Sequence, residues 1–401
     1  MSKATHLAQA QPNFPRTKNL VKEYSEVKFD KNTGRAKETG CAKGQYVYSF
    51  SKRNLGQKKL WLNKGTMLES FLHEIYVGEV PVFDFISALE NLVYTLSTLH
   101  KVKLDKDLAA INKIIEDLNR EIGKSPHKAN FDPLFRSAMD AVDKIFPVIE
   151  EVMLREKLTE ALCGEVNRLV TQREETPKTR ILHDSRNDKL YIQSKFLTKS
   201  VDLLEFSMGL LDKENKEPRI EKPIKGLYES IIIRLFLGDN LTDIKLANML
   251  IVDRGDHYQV ENIDFGNALT ANYSHFILEE FTSVDLLLKI KGMSEQMDRN
   301  ELQIFNMLFK AADPSEIKPT MDKIANLKDE DLSAIVANLS AVKDNNKEEL
   351  VSKQLQDQYL ENFQERREVF AAACRKGERP AVKTKCVSGA SVVTIHTNSR
   401  V

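Results

Sequence analysis

Asp243, Asn248 five residues on, and Asp264 at the close of a hairpin signal stand at spacings that phosphoryl-transfer chemistry can use. Moving the terminal phosphate of ATP to a hydroxyl needs one carboxylate to orient that hydroxyl and accept its proton. It also needs hard oxygen ligands for Mg²⁺ bridging the phosphates. Asp243 suits the first task, and Asp264 and Asn248 suit the second. Lys245 can neutralise charge developing on the transferred group. The segment that must bring them together reads FLGDNLTDIKLANMLIVDRGDHYQVENIDFGNA over 236–268. A helix ends at Gly238, and two apolar runs, 249–252 and 258–263, flank the turn Asp253-Arg254-Gly255-Asp256. A hairpin there returns the chain beside the loop that carries Asp243.

Stepping outward, the elements that must hold this loop alternate between strand and helix signals. Tyr46, Tyr48 and Phe50 alternate, the pattern breaks at Arg53-Asn54-Leu55-Gly56, and it resumes through Leu60 and Leu62, which predicts a hairpin. Leu68, Phe71, Leu72, Ile75 and Tyr76 follow at helical spacing. Four helical stripes fill 83–172, through Leu89–Leu99, Leu104–Ile122, Val142–Met153 and Leu158–Val170, with breaks at Gly123–Pro126 and Asp132-Pro133. Gly123-Lys124-Ser125 lacks the earlier glycine and the preceding strand of a phosphate-binding loop and reads as a helix-end turn. A second hairpin is predicted around the polar turn 184–188. An amphipathic helix then runs through Ile224, Leu227, Tyr228, Ile231 and Leu235.

With these elements in view, the motifs resemble the protein-kinase superfamily. Thr242-Asp243-Ile244-Lys245-Leu246-Ala247-Asn248 resembles the catalytic loop H-R-D-L-K-x-x-N, with Leu241 and Thr242 where His and Arg are usual. Asp264-Phe265-Gly266 matches the metal-binding D-F-G motif. The resemblance implies ATP and Mg²⁺ (or Mn²⁺) as cofactors, Asp243 and Lys245 as catalytic residues, and Asn248 and Asp264 as metal ligands. It also implies a strand lysine that grips the phosphates and pairs with a helix glutamate. Lys64 is placed for the first role and Glu69 or Glu74 for the second. The run ESFLHEIYVGEVPV over 69–82 resembles atypical kinases related to lipid kinases and bacterial effector kinases, which favours Glu69. No G-x-G-x-x-G is present, and the loop 51–59 carries Gly56 among Lys52, Arg53, Lys58 and Lys59. Tyr191–Phe196 followed by Asp202 resembles the strand and hinge that hold adenine, through backbone groups near Ser194 and Phe196. Tyr359–Phe370 resembles a terminal helix of bacterial effector kinases.

The fold expected from this resemblance is α+β, a bilobal protein-kinase-like fold with a helical insertion and a helical C-terminal region. Residues 1–40 read as a flexible arm, 41–82 and 177–205 as the N-lobe and 83–176 as the insertion. Residues 206–296 read as the C-lobe, 297–376 as a helical C-terminal region for membrane or partner binding, and 377–401 as a basic flexible tail. The expected activity is an ATP- and Mg²⁺-dependent phosphotransferase, an atypical Ser/Thr-type protein kinase, because Lys245 lies two residues after Asp243. The alternatives are a phosphoinositide or inositol kinase, favoured by Gly238-Asp239 and the lack of an A-P-E motif, and a non-catalytic phosphoinositide-binding module. A protein or phosphoinositide is thus the expected substrate, and the basic hairpin leaves room for an inositol polyphosphate regulator.

Composition is compatible with this and excludes other classes. The 401 residues carry 59 Lys+Arg against 59 Asp+Glu, which argues against a basic nucleic-acid coat, so no nucleic-acid partner is expected. Hydrophobic residues make up 41 % and charged residues 29 %, enough to bury a core. No apolar run of membrane-spanning length and no signal peptide are read in the chain, and Cys41, Cys163, Cys374 and Cys386 are too dispersed for a zinc site. Cytosolic action is therefore expected, with translocation into a host cell implied only by the resemblance. The 375–401 tail holds six Lys/Arg and one acidic residue, a composition that could meet an anionic membrane surface.

Overall fold

The computed structural model describes residues 20–24, 44–50, 58–76, 81–124, 130–173, 176–186, 188–195, 197, 200–211, 220–239, 246–270, 304 and 307–375. The expected N-terminal arm up to residue 19, the basic loop 51–57, Phe196, Asp243, Lys245 and the tail from 376 lie outside them. The architecture is α+β, with two mixed sheets among a larger number of helices. No helix among the described residues is long and apolar enough to cross a membrane.

The first sheet has five strands, β1 (Val21–Tyr24), β2 (Gly44–Phe50), β3 (Lys58–Lys64), β4 (Thr179–Asp184) and β5 (Lys189–Lys195), in the order β1-β4-β5-β3-β2. Both predicted hairpins form: β2 pairs antiparallel with β3, and β4 with β5. β1 adds in parallel to β4, a pairing that no local pattern announces. The second sheet orders β6 (Ser200–Asp202), β8 (Met249–Asp253), β9 (Tyr258–Asn262) and β7 (Ile224–Lys225). The β8–β9 turn closes with Arg254 N donating to the His257 carbonyl at 2.9 Å. Gly255 has φ +93° there, a left-handed value that a side chain tolerates poorly, which is why this turn wants glycine.

Between β3 and β4 run four helices, α1 (Met67–Tyr76), α2 (Val82–Tyr94), α3 (Asp105–Ile122) and α4 (Asp132–Thr171). The third and fourth helical stripes belong to one continuous 40-residue helix, which contains Pro147. That helix joins two hydrophobic cores. Its Ala138, Val142, Ile145, Ile149 and Val152 pack with Leu68, Ile75, Leu89, Leu92 and Ile111 of α1–α3. Its Leu158, Leu162, Val166 and Val170 instead pack with the sheets, through Ile181, Leu190, Ile251 and Val260. The second core also takes in α6 (Leu227–Phe236) and the C-terminal helices α7 (Ile317–Ala325), α8 (Asp329–Ala337) and α9 (Lys353–Cys374). Helix α5 (Leu203–Leu211) follows β6. Each fully buried Leu or Ile in these cores contributes about 1.5–3 kcal/mol.

Candidate active site

Lys64 is the last residue of β3 and is 4 % exposed. Its ammonium lies 2.7 Å from the Glu160 carboxylate on α4 and donates to Asp264 Oδ1 at 2.9 Å, just past the end of β9. Burial works against a charge at this position, but Asp264 and Glu160 outweigh it and hold the ammonium above its ordinary pKa. A raised lysine pKa means that the stability it provides is complete below the unfolded value and is lost only as pH rises through the folded one. Lys64 therefore stays charged through the neutral range.

The helix partner of Lys64 is a correction to the sequence reading. Glu69 and Glu74 are both on α1, but neither pairs with Lys64. Glu69 builds the start of its own helix: Thr66 N donates to Glu69 Oε2 at 2.7 Å, and Glu69 N donates to Thr66 Oγ1 at 3.2 Å. This is a reciprocal capping box, and its T-x-x-E signature is legible in Thr66-Met67-Leu68-Glu69. The other Glu69 oxygen accepts from Lys157 of α4 at 2.6 Å, which ties α1 to the helix that carries Glu160. His100 adds a second tie, 3.0 Å from Glu156. Two successive turns of α4 are thus anchored by charge, at Glu156 and Lys157 and then at Glu160, and the second faces the site.

Close packing places α4 against the sheet. A Cβ on Gly164, one turn beyond Glu160, would meet Thr179 Cβ of β4 at 2.9 Å and its Oγ1 at 3.0 Å. Gly164→Ala should therefore push α4 off β4 and cost about 1–3 kcal/mol, read as a lower denaturant midpoint. The Lys64–Glu160 contact should loosen with it, read as faster amide exchange at the end of β3.

Asp264 sits just after β9, in left-handed backbone with φ +62°. Asp is one of the few residues to tolerate this conformation, and strained backbone of this kind concentrates at functional sites. Its carboxylate is about one-third exposed, whereas Lys64 and Glu160 are buried, so the open side of the triad is the Asp264 side. Phe265 is buried, and a Cβ on Gly266 would lie 3.6 Å from the Glu160 carboxylate. Asn248 ends a short 3₁₀ turn before β8, and its carbonyl accepts from Ile263 N at 3.0 Å. The two expected metal ligands thus flank the same end of the β8–β9 pair, Asn248 one residue before Met249 and Asp264 two residues after its partner Asn262.

Ser194 lies in β5 with Leu62 on one side and Thr179 on the other, its Oγ 3.3 Å from Thr179 Oγ1. Lys195 N donates to the Lys178 carbonyl at 2.8 Å. Ser194 is therefore inside the sheet, flanked by strands, and contacts to an adenine would fall to residues beyond it.

Two residues escaped the sequence reading. Glu160 sits in a helix with an obvious apolar stripe, and its signal is the pairing with Gly164, a small residue one turn on in the helix that precedes a hairpin. Arg234 interrupts the run Ile231-Ile232-Ile233-Arg234-Leu235-Phe236. An arginine inside an apolar helical run is itself a signal, because a buried guanidinium must have partners. Among known proteins, the chain matches no family model, and no curated protein matches it.

Proposed function

We propose that this protein is an ATP- and Mg²⁺-dependent phosphotransferase of protein-kinase-like bilobal design, acting on a hydroxyl group. The observation that carries the reading is Lys64, buried between Glu160 of α4 and Asp264 of the D-F-G turn. One cation joins the first sheet, the long helix and the end of the β8–β9 hairpin. In phosphoryl transfer such a lysine grips nucleotide phosphates while the glutamate holds it extended.

The donor set fits a nucleotide-borne Mg²⁺. Asp264 and Asn248 supply hard oxygen ligands, and Mg²⁺ commonly takes one or two protein oxygens together with substrate phosphates. When bound, the metal would neutralise charge on the transferred phosphate. Asp243 orients the acceptor hydroxyl and takes its proton, and Lys245 offsets developing charge; the acceptor is a protein Ser or Thr.

The test is incubation with labelled ATP and Mg²⁺ against three acceptors: a generic basic protein, phosphoinositide vesicles and free inositol polyphosphate. Label on the basic protein is expected. Label only on lipid or inositol phosphate would replace the protein-kinase reading with a lipid- or inositol-kinase one. No label on any acceptor, together with no Mg²⁺-dependent ATP binding, would overturn the phosphotransferase reading.

A further inference from the structure

Arg234 on α6 is completely buried, as is Asp239, the partner of its Nη1 group. Its Nε donates to Asn262 Oδ1 at 2.9 Å. Its Nη2 donates to the Asn248 carbonyl at 2.7 Å and also to the Ile263 carbonyl. Its guanidinium carbon lies 4.9 Å from the centre of the Phe265 ring. Asn262 is fixed in turn by donating to the Ser230 carbonyl of α6 at 2.9 Å.

The partners have a common logic in the chain. Asp239 stands just before the segment 240–245 that carries Asp243, and Asn248 stands just after it. Ile263 and Phe265 are the two neighbours of Asp264. We infer that Arg234 is a positioning residue that sets the two proposed metal ligands, Asn248 and Asp264, relative to one another, through one planar guanidinium that holds the Asn248 and Ile263 carbonyls. This inference rests on the phosphotransferase reading for its chemistry and on the hydrogen bonds alone for its geometry.

A purely structural role explains these contacts poorly. Buried ion pairs replaced by well-packed apolar residues are often neutral or stabilising, so Arg234–Asp239 is not needed to fill a core. What an apolar residue could not do is donate at once to two main-chain carbonyls, a carboxamide and a carboxylate. Lysine could not either, because it lacks the planar fork that reaches several acceptors in one plane and stacks on a ring. Without Arg234, the Asn248 carbonyl keeps the Ile263 amide, and both carbonyls lose the donor they share.

The decisive variant is Arg234→Lys, which keeps the charge opposite Asp239 but removes the fork. Amide exchange in the nucleotide-free protein should accelerate in 246–248 and 263–265 while β4 and β5 keep wild-type rates. The Mg²⁺ concentration for half-saturation of fluorescent ATP-analogue binding should rise about 10–100-fold. Turnover should drop on the order of 100-fold, as small misplacements of catalytic groups do. Asp239→Asn keeps the fork but removes the charge that anchors it. It should raise the Mg²⁺ half-saturation and lower turnover in the same direction as Arg234→Lys but less, and it decides the matter if Arg234→Lys does not fold. Wild-type exchange and wild-type Mg²⁺ dependence in Arg234→Lys, with only a lowered melting temperature, would overturn the assignment, as would unchanged turnover in Asp239→Asn. If the wild-type protein binds no Mg²⁺-nucleotide at all, the phosphotransferase reading fails, and the exchange rates still decide whether Arg234 ties the two segments.

Discussion

Asp264→Ala should leave a folded protein that no longer transfers phosphate. Asp264 is the exposed member of the triad, so its loss leaves Lys64 beside Glu160 as a buried pair that is still neutral overall. The fold should therefore survive, with unchanged far-ultraviolet circular dichroism. The chemistry should not, because the carboxylate most available to a phosphate-bound cation is gone. A fall in initial rate on the order of 10³-fold or more is expected, the scale seen when a group stabilising transition-state charge is removed. Phosphate release or transfer from labelled ATP measures it. Full activity in this variant would sink the kinase reading.

Glu160→Gln should have the next largest effect, and it separates the partner seen in the structure from the one expected in the sequence. The substitution leaves Lys64 buried with a single carboxylate, free to swing toward Asp264 and out of line with the phosphates. A loss on the order of 100-fold in kcat/KM is expected, with a stability cost of about 1–3 kcal/mol, because Lys64 keeps Asp264 as its counter-ion and loses one buried hydrogen-bond partner. Glu69→Gln is the comparison. Gln can still serve the capping box, so the variant loses chiefly the charge opposite Lys157; it should cost about 1 kcal/mol or less and change kcat/KM by no more than about twofold. If Glu69→Gln proved as crippling as Glu160→Gln, the assignment of Glu160 as the lysine's functional partner would be wrong. Lys64 itself should contribute no inflection to the pH–rate profile between about pH 6 and 9, because its neighbours hold its pKa up.

The parts of this site that were legible in the sequence are those defined over short distances. The β8–β9 hairpin follows from two apolar runs around Asp253–Asp256, and Asp264 is placed by the length of that hairpin. Lys64 could be read as the end of an alternating strand. Helix α1 can be read from its periodicity, and Thr66 three residues before Glu69 marks that glutamate as a cap. Glu160 could not be placed this way. It meets Lys64 only because α4 leaves the bundle of α1–α3 and returns to β4, a path that depends on long-range packing at Gly164 and Thr179. The parallel addition of β1 to β4 is hidden for the same reason: four residues carry no signal of a partner so far along the chain.

The length of α4 has a further consequence. At 40 residues it spans about 60 Å and belongs to both cores. The α1–α3 bundle is therefore no detachable cassette, since excising it would remove the first half of the rod whose second half holds Glu160. One continuous helix thus links the bundle to the counter-ion of Lys64, and Pro147, which removes a backbone hydrogen bond between the two halves, is where that link would bend.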